Sequence, residues 1–277
     1  MITTLRLDPN SVGKGLLALL DTLDPVHADL GAEDVHRLRV AIKQTRAWLK
    51  LCRGMSGKTT AYHQLVENLR VLSAGLAGQR DRDVALQTLA KLARRYPGKK
   101  AEHLIDALRP LIAQQQPVLH DLLPLGATIE QIRQGLLPFT QLVIPRATLT
   151  AVVNRVYAKM CKTGDRALMS QTCADLHVWR KQVKTLGYQL AMLPFAEASV
   201  KKSIAHLTKL GSKLGGIHDL CFLAVMVEDV LAASNLELEL TPLLKRIARE
   251  RERLSVSVCK LHLHVCKPIP VLEVGNR

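Results

Sequence analysis

Basic side chains recur at helical spacing in four places along this chain. His36, Arg39, Lys43, Arg46, Lys50 and Arg53 follow one another at intervals of three or four, which on an α-helix places them within an arc of roughly 100°. No acidic residue shares that arc, and Leu38, Ile42, Leu49 and Cys52 lie opposite it, with Trp48 at the edge. One face is therefore fit for a core and the other is cationic. His177, Arg180, Lys181, Lys184 and Tyr188 repeat the arrangement opposite Trp179, Val183, Leu186 and Leu190. Two further ladders run through Arg155, Lys159, Lys162 and Arg166, and through Lys202, His206, Lys209 and Lys213. Each is about 16 Å long at 1.5 Å per residue.

The chemistry of such faces is anion binding. Like charges one turn apart repel by about a few tenths of a kcal/mol, and surface helices usually relieve this by alternating Glu with Lys, as this chain does only over 245–253. A single stripe is ordinarily a solvated helix face. Four unrelieved stripes accept a repulsion that an extended polyanion would remove, each Lys or Arg engaging one or two phosphates through charge-assisted hydrogen bonds. His36 and His177 open their helices on the cationic side and have two readings, a buried structural histidine or a ligand contact. Neighbouring cations would depress either imidazole and a bound polyanion would raise it.

Other chemistries find little support. Gly54 to Thr59 has the tail of a phosphate-binding loop, but the first glycine of that motif would fall at Cys52 and no strand precedes it. Cys259, His262, His264 and Cys266 are competent zinc ligands at a spacing that matches neither a C-x-x-C knuckle nor H-x-x-x-H. They are read as a chance cluster. No paired carboxylates beside a base, nucleophile elbow or metalloprotease helix is present, so neither catalytic residues nor a cofactor or metal is expected.

Composition agrees. Of 277 residues, 39 are Lys or Arg and 24 are Asp or Glu, a formal charge of +15, while 48% are hydrophobic, enough for a core. Only nine residues are aromatic (two Trp, four Tyr, three Phe), which argues against readers of single strands that stack bases on rings. A partner met as a string of negative charges fits better. No apolar run approaches the ~18 residues of a spanning helix, and no secretory leader is visible. The six cysteines form no dense framework and are read as mostly small buried residues in a reducing, cytoplasmic protein.

Apolar residues recur with period three to four almost throughout, so the fold is read as all-α. Helices are expected from Asp8-Pro9, from Gly31–Asp34, and over 58–77, 80–95 and 99–121. A connector over Pro124–Pro145 would hold one short helix near Thr128–Leu137. Further helices are expected over 147–163, 171–193, 197–213, 217–233 and 241–260, with an irregular tail beyond. The chain also repeats itself. Asp34, His36, Arg39 and Lys43 match Asp175, His177, Arg180 and Lys184 at an offset of 141, and Leu76–Asp81 matches Leu214–Asp219 at 138. Ordered matches at similar offsets suggest duplicated halves, 1–138 and 139–261, followed by a tail, 262–277.

On these residues the sequence resembles the CHAD family, the conserved histidine α-helical domain, from about Leu7 to Leu261. The carriers are Asp34–Lys43 and Asp175–Lys184, with Arg80-Asp81-Arg82-Asp83-Val84 and Leu214-Gly-Gly-Ile-His-Asp219. The resemblance implies two pseudo-symmetric helical bundles around a basic groove or pore that binds inorganic polyphosphate without catalysis. It implies motif histidines His36 and His177 and groove cations Arg39, Lys43, Arg46, Arg180, Lys181 and Lys184, with Arg80 beside them. Gly187 departs from the family pattern, where the first half has Arg46. Relatives that carry a CYTH triphosphatase module show Glu-x-Glu-x-Lys; Glu237-Leu-Glu239-Leu-Thr241 lacks the Lys, so a stand-alone domain is expected. The full set expected to meet polyphosphate adds Lys50, Arg155, Lys159, Lys162, Tyr188, Lys202, His206, Lys209 and Lys213. Expected partners are polyphosphate and the proteins of polyphosphate granules. Nucleic acid through its phosphates is the alternative, and polyphosphate processing a more distant one.

Overall fold

The computed structural model describes residues 4–6, 32–56, 60–76, 78–114, 125–140, 143–192, 198–234 and 239–267. The helix expected from Asp8-Pro9 and the tail beyond 267 lie outside them. Among the described residues the fold is all-α, joined by one short antiparallel ribbon in which β1 (Thr4–Arg6) pairs with β2 (Val143–Pro145), Leu5 opposite Ile144. No described helix is long and apolar enough to cross a membrane.

The first basic stripe lies on α1 (Ala32–Ser56), with Glu33 and Asp34 in its first turn and Arg53 in its last, the polarity a helix dipole favours. Its apolar positions Leu38, Ile42, Leu49 and Cys52 are buried as expected, and so is Trp48, whose ring meets Phe139 edge-on at 6.2 Å. Next come α2 (Thr60–Gly75), α3 (Gly78–Arg95) and α4 (Lys99–Gln114).

The region read as a loose connector is a regular helix, α5 (Leu125–Thr140), packed on α2. Pro138 does not end it, because Ile129, Ile132, Leu136 and Phe139 are buried in sequence, Phe139 between Trp48 and Tyr62. That burial outweighs the hydrogen bond that proline removes.

The second half holds α6 (Arg146–Ser170), α7 (Cys173–Met192), α8 (Ala198–Ser234) and α9 (Thr241–Val265). Two expected helices over 197–213 and 217–233 are one rod of 37 residues. Each interior glycine costs about 1 kcal/mol of helix propensity, yet Leu210, Leu214, Ile217, Leu220, Leu223 and Val227 carry a buried stripe straight through Gly215-Gly216. Likewise α9 continues to Val265 rather than fraying near 260, held by buried Val258, His262 and Val265. α7 lies against α1, α6 and α8, and α8 also meets α3, α4 and α9. The buried side chains form one contiguous cluster from Val35 to Val265.

Cysteine placement differs from the expectation of small buried residues. Cys52 is buried, but Cys173 and Cys221 form a disulfide between α7 and α8, Cys161 and Cys266 are half-buried, and Cys259 is exposed.

Candidate polyanion-binding surface

α1 and α7, the helices that carry the two repeat segments, cross in opposite senses. Gln189 Nε2 on α7 donates to Ala47 O on α1 at 3.2 Å, and Lys50 Nζ on α1 donates to Thr185 Oγ1 at 3.5 Å. The buried glutamine fixes the crossing and brings two cationic stripes onto one surface. Burial lowers the Lys50 ammonium below its ordinary range, and Arg46 and Lys159 lower it further. Lys159 thus brings the α6 ladder to the end of the α1 stripe.

On its other flank α7 lies against α8, and glycine spacing makes room for the cations. A Cβ at Gly211 would stand 3.2 Å from Lys184 Cε, and one at Gly215 would stand 3.4 Å from Arg180 Nε. Gly-x-x-x-Gly on α8 therefore lets the stems of Arg180 and Lys184, themselves one turn apart, lie along the α8 backbone. Lys184 is lowered by burial and then by Arg180. Tyr188, one turn on, is half-buried, and burial raises its phenol.

His177 lies over His218 of α8, ring centroids 4.4 Å apart. Burial, then His218, Lys181 and Arg180, press the His177 imidazole down to about 4. His218 is lowered by burial and by Arg180, Lys181 and Lys43, the last reaching across from α1. Besides burial, the neighbours that lower Lys50, Lys184, His177 and His218 are the basic residues Arg46, Lys159, Arg180, Lys181, Lys43 and, for His177, His218. The surface brings basic groups from α1, α6, α7 and α8 close enough to lower one another.

The structure thus gathers Lys43, Arg46, Lys50, Lys159, His177, Arg180, Lys181, Lys184 and Tyr188. It adds His218, which the sequence supplied as a repeat match without a role, and the floor glycines Gly211 and Gly215, whose signal was their spacing. Position 187, where the second half lacks a cation, faces Leu207 of α8, whereas its counterpart Arg46 is exposed on α1. Of the two motif histidines, His36 is exposed at the start of the second turn of α1, not a buried structural residue. Arg80 stands in the first turn of α3, its side chain outside those described.

Two groups of expected residues are placed differently from the rest. Arg39 reaches Leu76 O at 2.7 Å and Ser73 O at 3.4 Å, so its guanidinium caps the carbonyl end of α2. It ties α1 to the end of α2 through Nη1. The ladder Lys202, His206, Lys209 and Lys213 does not join the others. Gly211, Gly215 and His218 define the side of α8 that meets α7, and at 100° per residue the ladder lies about half a turn away. His206 looks instead toward His264 of α9, ring centroids 5.8 Å apart. On α6, Arg155 and Lys162 are exposed along with Lys159, while Arg166 is paired with Asp175 at 2.6 Å.

The segment that resembled a phosphate loop begins inside α1, which runs to Ser56, and 57–59 lie outside the described residues. A helix there leaves no strand-to-helix turn. Among the described residues no three His, Cys, Asp or Glu groups are placed to hold a metal ion. A separate cavity of about 490 Å³ between α3, α8 and α9 contains Lys91, Arg94 and Arg95, but Asp219 and Glu250 line it too. Its carboxylates suit a polyanion poorly.

A comparison with the curated proteins found no match. Among solved structures the chain is similar to the crystal structure of the CHAD domain from the plant Ricinus communis. The likeness covers 98% of this chain and 92% of that one with a TM-score of 0.61, at 17% identity, and is one of fold. The CHAD domain family model matches residues 12–228, most of the chain and both repeat segments, and the protein belongs to the CHAD domain family.

Proposed function

We propose that this protein binds inorganic polyphosphate along the surface where α1, α7 and α8 meet, as a binding module without turnover, and that this binding brings it to polyphosphate granules. The observation that carries the proposal is the crowding of Lys43, Arg46, Lys50, Arg180, Lys181 and Lys184 around the His177–His218 pair, with Lys50 and Lys184 lowered by burial and then by their cationic neighbours. A linear polyanion supplies repeated charge at each step and removes that repulsion along its length. The scarcity of aromatic rings gives no platform for bases.

The test is equilibrium binding of medium-length polyphosphate at physiological salt, competed with duplex DNA, single-stranded RNA and triphosphate at equal phosphate concentration. Polyphosphate is expected to win by about tenfold or more, roughly 1.4 kcal/mol. Equal or better competition by nucleic acid would turn the surface into a general phosphate-backbone site.

The histidine pair adds a pH dependence with a definite sign. Free His177 titrates at about 4, below the ordinary 6.5, so between those values the unfolded chain holds more protons than the fold. The contribution of neutral His177 to the stability of the free protein is therefore complete above pH 6.5 and is lost as pH drops toward 4. A bound polyanion raises both imidazoles, so binding takes up protons and tightens with acid. Affinity is expected to rise about threefold or more from pH 7.5 to pH 5.5, and His177→Gln with His218→Gln should flatten the profile. A wild-type affinity that does not change with pH would remove the pair from the site.

A further inference from the structure

The cluster Cys259, His262, His264 and Cys266 resolves differently once α9 is in place. Cys259 and His264 are exposed, whereas His262 is buried and Cys266 half-buried, both turned toward α6. His262 Nε2 lies 2.8 Å from Asp165 Oδ1, and Cys266 Sγ lies 3.4 Å from His262 Nδ1. A carboxylate accepts rather than donates, so the ring proton sits on Nε2 and Nδ1 is left to take the proton of the Cys266 thiol. The order carboxylate, imidazole, thiol is that of an activated nucleophile.

One turn before Asp165 on α6 stands Cys161, and one turn before that Tyr157, so the contacts of Asp165 with His262 and of Tyr157 with the end of α9 bring Cys161 opposite Cys266. The Tyr157 hydroxyl donates to Lys267 O at 2.9 Å, just beyond α9. Two free thiols thus face each other across α6 and the end of α9, with a base behind one of them. Cys266 beside it lowers the Cys161 thiol, and Cys161 in turn raises that of Cys266. A half-exposed thiol of lowered pKa beside a second thiol is the arrangement of a reactive and a resolving cysteine.

We propose that Cys161 and Cys266 are a redox-active pair in which Cys161 attacks a low-molecular-weight disulfide such as glutathione disulfide and Cys266, with His262 as its base, resolves the adduct into a covalent clamp between α6 and the end of α9. The Cys161 thiolate attacks one sulfur of glutathione disulfide, forming a mixed disulfide and expelling glutathione thiolate. Cys266 passes its proton to His262 Nδ1, and its sulfur attacks the Cys161 sulfur, expelling a second glutathione thiolate. The two protein thiols lose two electrons and two protons, and one glutathione disulfide becomes two glutathiones. The clamp ties down the helix that carries Lys159, and the inference stands apart from the polyphosphate reading.

Full-length protein equilibrated in glutathione buffers of rising oxidation, then alkylated and digested, gives the decisive measurement. The expected result is a linked peptide pair containing Cys161 and Cys266, with a thermal midpoint raised by about 5 °C or more. Cys266→Ser is expected to stop at a glutathione adduct on Cys161. Cys161→Ser should block the linkage and leave Cys266 largely unmodified, and His262→Gln should slow closure about tenfold while leaving adduct formation on Cys161 unchanged. The wild-type map decides without any variant. If Cys259 takes up glutathione while no Cys161–Cys266 link forms, or if Cys161 links elsewhere, the proposal is overturned. Equal adduct formation in the Cys161→Ser and Cys266→Ser proteins would overturn the assignment of roles.

Discussion

Replacing Lys43, Arg180, Lys181 and Lys184 together with Glu is expected to weaken polyphosphate binding by about a thousandfold or more while far-UV circular dichroism stays that of the helical fold. Each side chain offers a charge-assisted contact, and its reversal adds repulsion. A net loss of about 1 kcal/mol at each of the four sites already sums to roughly 4 kcal/mol, or about three decades in Kd. Arg39 is left out because its bonds to Leu76 O and Ser73 O cap α2, and its loss would mix a folding defect with a binding defect. The matched control reverses Lys201, Lys202, Lys209 and Lys213, the same change in charge on surface residues of α8, three of them from the ladder about half a turn from the α7 contact. That variant is expected to lose less than about tenfold, through long-range attraction alone. Isothermal titration of both proteins separates a built surface from mere net charge. Equal losses would mean that any cationic patch serves, and the assignment to α1, α7 and α8 would fall.

Gly164→Ala is expected to destabilise the fold by roughly 2–3 kcal/mol, lowering the thermal midpoint by about 5–10 °C. The sign is the reverse of what helix propensity gives, since alanine in a helix interior is normally better than glycine by about 1 kcal/mol. Geometry decides it. A Cβ at 164 would lie 2.5 Å from His262 Cε1 and 2.8 Å from both His262 Nδ1 and Trp179 Cε2. Trp179 is fully buried and His262 nearly so, and His262 cannot swing aside without breaking its contacts to Asp165 and Cys266. Gly187→Ala is the comparison, because its Cβ would meet only Leu207 Cβ at 3.8 Å, an ordinary contact. That substitution should be neutral or stabilising by up to about 1 kcal/mol. Thermal denaturation of the two variants, with opposite signs from one chemical change, checks the close approach of α6 to α7 and α9.

The sequence by itself determined which side of each helix is apolar. Period-3.6 patterning marked Leu38, Ile42 and Leu49 on α1 and Trp179, Val183, Leu186 and Leu190 on α7 as core, and all are buried. It also marked the cationic faces and the repeat, and with them the family. Such features are local, because a helix face is set by residues within a few turns of one another. What a face meets is not local, and there only the tertiary structure decided. The Lys202–Lys213 ladder has the same spacing as the stripe on α1, yet it points away, because the opposite side of α8 carries the glycines that admit Arg180 and Lys184. Arg39 reads as one cation among six until α2 ends beside it. Gly215-Gly216 and Pro138 read as breaks, and burial on both sides carries the helices through them. His262 and Cys266, spaced like a poor zinc motif, acquire partners only when α6 brings Asp165 and Cys161 to them from about a hundred residues away. Spacing along a chain fixes direction around a helix axis, whereas the identity of the neighbour depends on where the other helices are placed by the core as a whole.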